Sequence, residues 1–297
     1  MCPYCQSEND VAKRGFYTRA SDKKVVQRFK CRSCQKSFST QTLRIDYRYR
    51  KRHLDQPVFR GICKGSSQRA LAFLLSCKTE CIARRIKRFG KVCESNLKVF
   101  RQNQRFDEVM FDELETFEHT KCKPLTVPIA VVKGKRFVVA VDVGAIAAKG
   151  NLAKIAQKKY GVRKCERSKV LKNLLGQLQE CTVANATIWT DMSPHYPGRI
   201  KKRFPEAVHK TSRGRRGCVV GQGELKRGGF DPLFSLNHTY AMFRDNLKTL
   251  SRRTWCTTKR ADMLRHLLYM YAWFHNLRLL GDRGTLKTLK NIKSTSN

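Results

Sequence analysis

Phe106-Asp107-Glu108-Val109-Met110-Phe111-Asp112-Glu113-Leu114-Glu115 reads as a buried strand that ends in acid. Val109, Phe111 and their neighbours supply the apolar body. A carboxylate at the end of a central strand is costly unless it meets metal or solvent, so Asp112 is the first candidate metal ligand. Strand alternation turns Glu113 to the opposite face, which makes it less suited to the same ion. Downstream, Ala186–Thr190 is a second short apolar strand, and Asp191 follows it directly. Hard divalent cations choose carboxylate oxygen. A two-metal site can activate water and stabilise a leaving 3′-oxygen in phosphodiester cleavage. Two aspartates in ordinary turns are the competing reading.

The flanking sequence predicts a mixed α/β fold. Val127–Val143 is β-branched and apolar, broken by Lys133-Gly134-Lys135 as a hairpin turn. Helical period returns in Ser168–Cys181 through Val170, Leu171, Leu174, Leu175 and Leu178. Pro194 and Pro205 bracket a short helix, and Ala207–His209 reads as a strand. Residues 211–230 are rich in Gly and Arg and read as a mobile basic loop. Leu236–Leu250 and Ala261–Leu280 read as helices, with Trp255, Tyr269, Tyr271, Trp273 and Phe274 read as core in preference to base-stacking platforms. A polar, basic tail, 281–297, is expected to be disordered. Strands clustered first and then alternating with helices imply a mixed sheet with flanking helices.

Two smaller units precede this core. Cys2-Pro3-Tyr4-Cys5 and Cys31-Arg32-Ser33-Cys34 are paired knuckles, each placing two thiolates at the separation a tetrahedral Zn²⁺ needs. Residues 1–40 therefore read as a zinc ribbon, with strands near Gly15-Phe16-Tyr17 and Val25–Phe29. The redox reading of CxxC needs a βαβ context that is missing. Lys23, Lys24, Arg28, Lys30 and Arg32 are expected to touch DNA. Residues 41–100 form a basic connector and then a helical unit. Ser66 or Ser67 caps a first helix, Ser76-Cys77-Lys78 turns, and Thr79–Phe89 forms a second carrying Arg84, Arg85, Lys87 and Arg88. This follows helix-turn-helix logic, against the simpler reading of a basic hairpin packed on the sheet.

Composition narrows the partner. Over 297 residues, 62 Lys and Arg against 23 Asp and Glu give a formal charge of +39. Nucleic acid is the default counter-polyanion for such a charge. The hydrophobic fraction of 41% is enough for a core. No run of about 18 apolar residues and no signal-peptide pattern is visible, so a cytoplasmic protein is expected. The 13 cysteines are odd in number, and those beyond Cys34 show no repeated spacing, which suggests reduced thiols.

Taken in order, the ribbon Cys2–Cys34, Phe111-Asp112-Glu113, Trp189-Thr190-Asp191 and Asn237-His238-Thr239-Tyr240-Ala241-Met242-Phe243-Arg244 through Lys259 resemble a DDE-type transposase of the bacterial insertion-sequence-one superfamily. The resemblance covers roughly residues 1–280. It implies a ribonuclease-H-like core over 101–280 in which Asp112 and Asp191 hold Mg²⁺ or Mn²⁺. The family's third acid lies seven residues before an Arg, which places Asn237 there with Arg244 as the Arg. An amide can coordinate Mg²⁺ but brings no charge. His238 is the alternative third residue, and Glu224 and Asp231 are weaker ones. Lys259, fifteen residues after Arg244, would assist at the scissile phosphate. Arg244, Arg252 and Arg253 would clamp DNA. The implied partners are double-stranded transposon ends and target DNA, bound by a homodimer or larger assembly in the bacterial nucleoid. A non-catalytic zinc-ribbon DNA-binding protein, or a decayed transposase, is the main rival. An RNA-binding protein would share the charge and ribbon without needing Asp112 and Asp191 to converge.

Overall fold

A run of apolar residues makes β4 (Phe106–Phe117) the centre of the main sheet, with the consecutive Val109, Met110 and Phe111 and then Leu114 all buried. A computed structural model describes residues 1–20, 23–42, 51–213, 231–251, 255–282 and 284. Of the loop expected at 211–230, residues 214–230 with Glu224 lie outside the described residues, as do the pair Arg252 and Arg253 and, of the tail expected at 281–297, residues 283 and 285–297. The chain divides into a compact N-terminal unit, Met1–Val58, and a larger one, Phe59–Gly284.

The N-terminal unit holds a three-stranded antiparallel sheet, β1 (Val11–Thr18), β2 (Val25–Cys31) and β3 (Ser37–Ser39), in that order. Phe29 and Phe38 stack with centroids 5.4 Å apart, and Val26 is buried. So little apolar material cannot close a core alone, which is why small units of this kind depend on metal.

In the larger unit, β4 pairs antiparallel with β5 (Pro124–Val132), and β5 antiparallel with β6 (Val138–Val141). On its other side β4 runs parallel to β8 (Thr182–Thr190), and β8 parallel to β9 (Val208–Thr211). The order is β6-β5-β4-β8-β9, with β7 (Gly144–Ala145) added to β5. The expected hairpin turn is present, with Gly134 at φ +73° between β5 and β6. One sheet face buries Val109, Phe111 and Ile188 under Leu171, Leu174, Leu175 and Leu178 of α5 (Arg167–Gln179) and Ile200 of α6 (Pro197–Arg203). Helix α7 (Phe234–Asn246) packs on β4 and β5. A helix the sequence reading did not foresee, α4 (Leu152–Tyr160), follows β7.

Two departures from expectation have physical causes. β4 does not stop at its acidic residues: it pairs with β5 through Phe117, because Arg167 bridges Glu113 at 3.0 Å and Glu115 at 3.3 Å. The second basic helix does not end at Phe89. As α3 it runs Thr79–Gln102 and packs along α8 (Ala261–Leu279), so the helices from Phe59 onward belong with the sheet rather than to a separate unit over 41–100. Before it, α2 (Gln68–Leu74) is capped by Ser67, whose hydroxyl accepts from Ala70 N at 3.1 Å. The helix α1 (Asp55–Ile62) spans the boundary between the units.

The outer edge of β6 is also covered. Asn276 of α8 accepts from Val138 N and donates to Val138 O, both at 2.8 Å, and Arg101 of α3 donates to Val139 O at 3.1 Å. An edge closed in this way cannot template another strand. No helix among the described residues is long and apolar enough to cross a membrane.

Gly90 marks the close approach of α3 and α8. A Cβ there would lie 2.5 Å from His266 Cβ and 2.7 Å from its Cα. Gly→Ala in an open helix stabilises by about 1 kcal/mol, but Gly90→Ala should destabilise by about 1–3 kcal/mol through overpacking. Urea unfolding should show a lower midpoint; a midpoint equal to or above wild type would refute the close packing.

Candidate functional site

The β4–β8 ladder pairs Glu108 with Thr187, Val109 with Ile188 and Met110 with Trp189. Carried two residues further, that constant register sets Asp112 level with Asp191. Neighbouring strands lie about 4.8 Å apart, so two carboxylates emerge side by side where β8 leaves the sheet. Their proximity shows in the chemistry of Asp112. Burial, and then the charge of Asp191, push its carboxyl up to about 6, against the lowering effect of the Glu113 N–H and the Tyr196 hydroxyl.

Neutral donors hold the pair. Asp112 Oδ1 accepts from Glu113 N at 2.6 Å and from Tyr196 Oη at 3.0 Å. Tyr240 of α7 donates its hydroxyl to the Asp112 carbonyl. Asp191 Oδ1 accepts from Ser193 N at 2.9 Å. Burial raises the Tyr196 and Tyr240 hydroxyls far above the ordinary phenol range, so both remain donors. Among the described residues no Lys or Arg bridges Asp112 or Asp191, although Glu108, Glu113, Glu115, Glu118, Glu180, Asp142 and Asp262 each have such a partner. The two neighbours on β4 differ in their partners: Glu113 meets Arg167 of α5 and Thr126 Oγ1 at 2.6 Å, while Asp112 meets only hydroxyl and N–H donors, and the Tyr196 hydroxyl lies between them, 3.0 Å from Asp112 Oδ1 and 3.4 Å from Glu113 Oε2.

The sheet surface beside the pair carries further polar groups that sequence reading missed. The Trp189 indole donates to Glu108 Oε1 at 3.2 Å and lies between Lys133 Nζ at 4.0 Å and Lys210 Nζ at 5.2 Å from its ring centre. Trp189 stands two residues before Asp191, so alternation puts both on one face.

The remaining expected site residues lie elsewhere. Asn237 sits on α7 one turn before Tyr240, is exposed, and donates its amide to Asp231 Oδ2 at 2.7 Å. No hydrogen bond links it to Asp112 or Asp191. The alternative, His238, is turned to Arg136, whose guanidinium lies 3.2 Å from its Nδ1. Lys259 donates to Thr257 Oγ1 at 3.2 Å and lines a groove formed with α2 and α3. Arg244 lines a hollow with Glu115, Thr116 and Thr257. On α3, Arg84 is exposed as expected for a DNA contact. Arg85 is not: it is 3% exposed and donates to Cys81 O at 3.2 Å, because its position falls on the buried stripe of the helix. Arg88 is half-buried over the Phe89 ring at 5.0 Å.

The four ribbon cysteines do converge. Their sulfurs all lie within 4.8 Å of one another, with Cys2–Cys34 at 3.7 Å and Cys5–Cys31 at 3.5 Å. Tetrahedral zinc with bonds of about 2.3 Å needs sulfurs roughly 3.8 Å apart, so this set fits the ion. The two knuckles repeat one geometry. Cys2 N donates to Ser7 O and Cys31 N to Lys36 O, and the Gln after each knuckle, Gln6 and Gln35, takes φ of +61° and +57°. Among the described residues this is the one group of three or more His, Cys, Asp or Glu side chains able to share an ion.

The chain matches no protein-family model and no curated protein sequence.

Cys31→Ser should reduce bound zinc from about one ion per chain to a substoichiometric level, since structural sites are four-coordinate. Metal analysis of the purified protein reads this directly; an unchanged zinc content would contradict the four-cysteine assignment.

Proposed function

We propose that the protein is a DDE-type transposase that binds transposon ends and carries out metal-dependent DNA cleavage and strand transfer. The observation that carries this reading is the carboxylate pair. In a chain of charge +39, Asp112 and Asp191 are held together and bridged by no Lys or Arg among the described residues. Such a pair suits divalent cations. Supporting it, β6-β5-β4-β8-β9 with β5 alone running against its neighbours is the strand order of a ribonuclease-H-like sheet.

Asp112 and Asp191 would hold Mg²⁺ or Mn²⁺, which supplies an activated water and charge stabilisation at the leaving 3′-oxygen. Tyr196 fixes Asp112 Oδ1 and so orients the other oxygen. Ser193 N does the same for Asp191. Asn237, exposed and bonded through its amide nitrogen to Asp231, would have to bring its free carbonyl oxygen to the metals to fill the third position. Lys210 and Lys133, the latter also paired with Glu108, stand over Trp189 on the same face and would meet phosphate further along the strand. The zinc ribbon, together with α2 and α3 used as a helix-turn-helix, would recognise the ends, and two ends imply a dimer or larger assembly. A phosphoryl transfer of this type needs no covalent protein–DNA intermediate.

A non-catalytic DNA-binding protein is the second reading, favoured by the uncharged, exposed Asn237. Cleavage of DNA flanking the gene, assayed with Mg²⁺ or Mn²⁺, separates the two. Asp112→Asn should reduce strand cleavage to background while end binding in a gel-shift assay is unchanged; retained cleavage removes Asp112 from the mechanism. Wild-type protein that binds ends without cutting them with either metal would establish the second reading. Asn237→Glu should keep or raise activity, whereas its loss would show that the amide itself is required.

A further inference from the structure

A groove of about 530 Å³ opens between the start of α2, the first turns of α3 and the link from α7 to α8. Its lining contains no Asp or Glu. Five cations are exposed there: Arg69, Lys87, Lys248 and Lys259 are bridged to no carboxylate, while Arg260 pairs with Asp262, just outside the lining, at 2.6 Å. The link carries Trp255, expected to be core from its sequence but 99% exposed. Two hydroxyls in the lining, Thr249 Oγ1 and Thr258 Oγ1, are buried without a hydrogen-bond partner, and Thr258 as a whole is 2% exposed. A buried hydroxyl left unpaired is a cost that a bound acceptor would remove.

We propose that this groove seats an unpaired nucleotide of a nucleic-acid strand. Its base stacks on the Trp255 indole, its flanking phosphates meet the four unbridged cations, and the two threonine hydroxyls donate to its oxygens. Each feature selects part of this ligand. Walls of five cations, only Arg260 of them bridged to a carboxylate, select phosphate. An indole left open to water offers a face to any base and is indifferent to sequence. A paired base presents no free face, so the strand must be open at this point. The volume lies within the usual range for a small-ligand site, roughly 300–1,000 Å³. The ligand class rests on the transposase reading, but the site does not require Asp112, Asp191 or any catalytic metal.

The test uses the full-length, zinc-loaded protein without added Mg²⁺. Three probes of equal phosphate content are compared: an oligothymidylate of about ten nucleotides, within the usual site size, an abasic strand and a closed duplex. Trp255→Ala should weaken oligothymidylate binding about 5- to 100-fold, the range for one lost base–aromatic stack. Trp255→Phe should restore most of it, and duplex binding should be unchanged in both variants. The exposed indole makes misfolding an unsuitable explanation for a loss. Lys87→Ala with Lys248→Ala should weaken the thymidylate and abasic strands alike and flatten the salt dependence. Oligothymidylate binding unaffected by Trp255→Ala, or an abasic strand bound as tightly as oligothymidylate, would overturn the site. Intact strand binding here, with no cleavage in the separate assay with Mg²⁺ or Mn²⁺, would count against the transposase reading alone.

Discussion

Asp112 and Asp191 repel each other, and the β4–β8 ladder holds them level all the same. The strands cannot slip to relieve this. A shift of one residue would turn Val109, Phe111 and Ile188 out of the core they fill against α5 and α6. The apolar face of the sheet thus enforces an electrostatic arrangement on the other face. Neutral hydroxyl and amide donors soften the repulsion without cancelling it, and no Lys or Arg among the described residues bridges either carboxylate.

The wider use of charge makes that arrangement distinctive. Most acids in ion pairs pin the structure: Glu180 holds Arg101 under β6, Asp142 meets Arg265 at 2.6 Å, and Glu113 and Glu115 share Arg167. Glu113 and Asp112 are neighbours on one strand, yet the first is neutralised and the second is not. The difference lies in what reaches each carboxylate: α5 brings Arg167 to Glu113, while Asp112 receives only the Tyr196 hydroxyl and the Glu113 N–H.

Local patterns were legible in the sequence, and features set by distant packing were not. The ribbon was readable because four ligands at fixed spacing define it. The hairpin at Gly134, the helix α5 and the carboxylate pair followed from periodicity and from acids placed after apolar runs. The extension of β4 to Phe117 was hidden because acidic residues disfavour strand until Arg167 arrives from elsewhere in the chain. Gly90 lies just past the expected end of the second helix at Phe89; its reason is the approach of His266, which no local pattern reveals. Arg85 was misplaced because it falls on the inner stripe of a helix longer than foreseen. Tyr196 and Tyr240 carried no signal, since a tyrosine that holds a carboxylate and one that fills a core look alike in sequence.

On the proposed reading, charge balance explains how a site with an amide at its third position can work. Two divalent ions bring four positive charges, and Asp112 with Asp191 supplies two negative ones. Asp231, hydrogen-bonded to the Asn237 amide, adds a carboxylate beside that residue. The deficit that remains is one that DNA phosphates can fill. Metal would therefore be held weakly by the free protein and firmly only once a strand lies across the carboxylate pair. A strongly basic protein that meets much non-cognate nucleic acid gains from such coupling, because the ions needed for cutting are retained only where a phosphodiester is already in place.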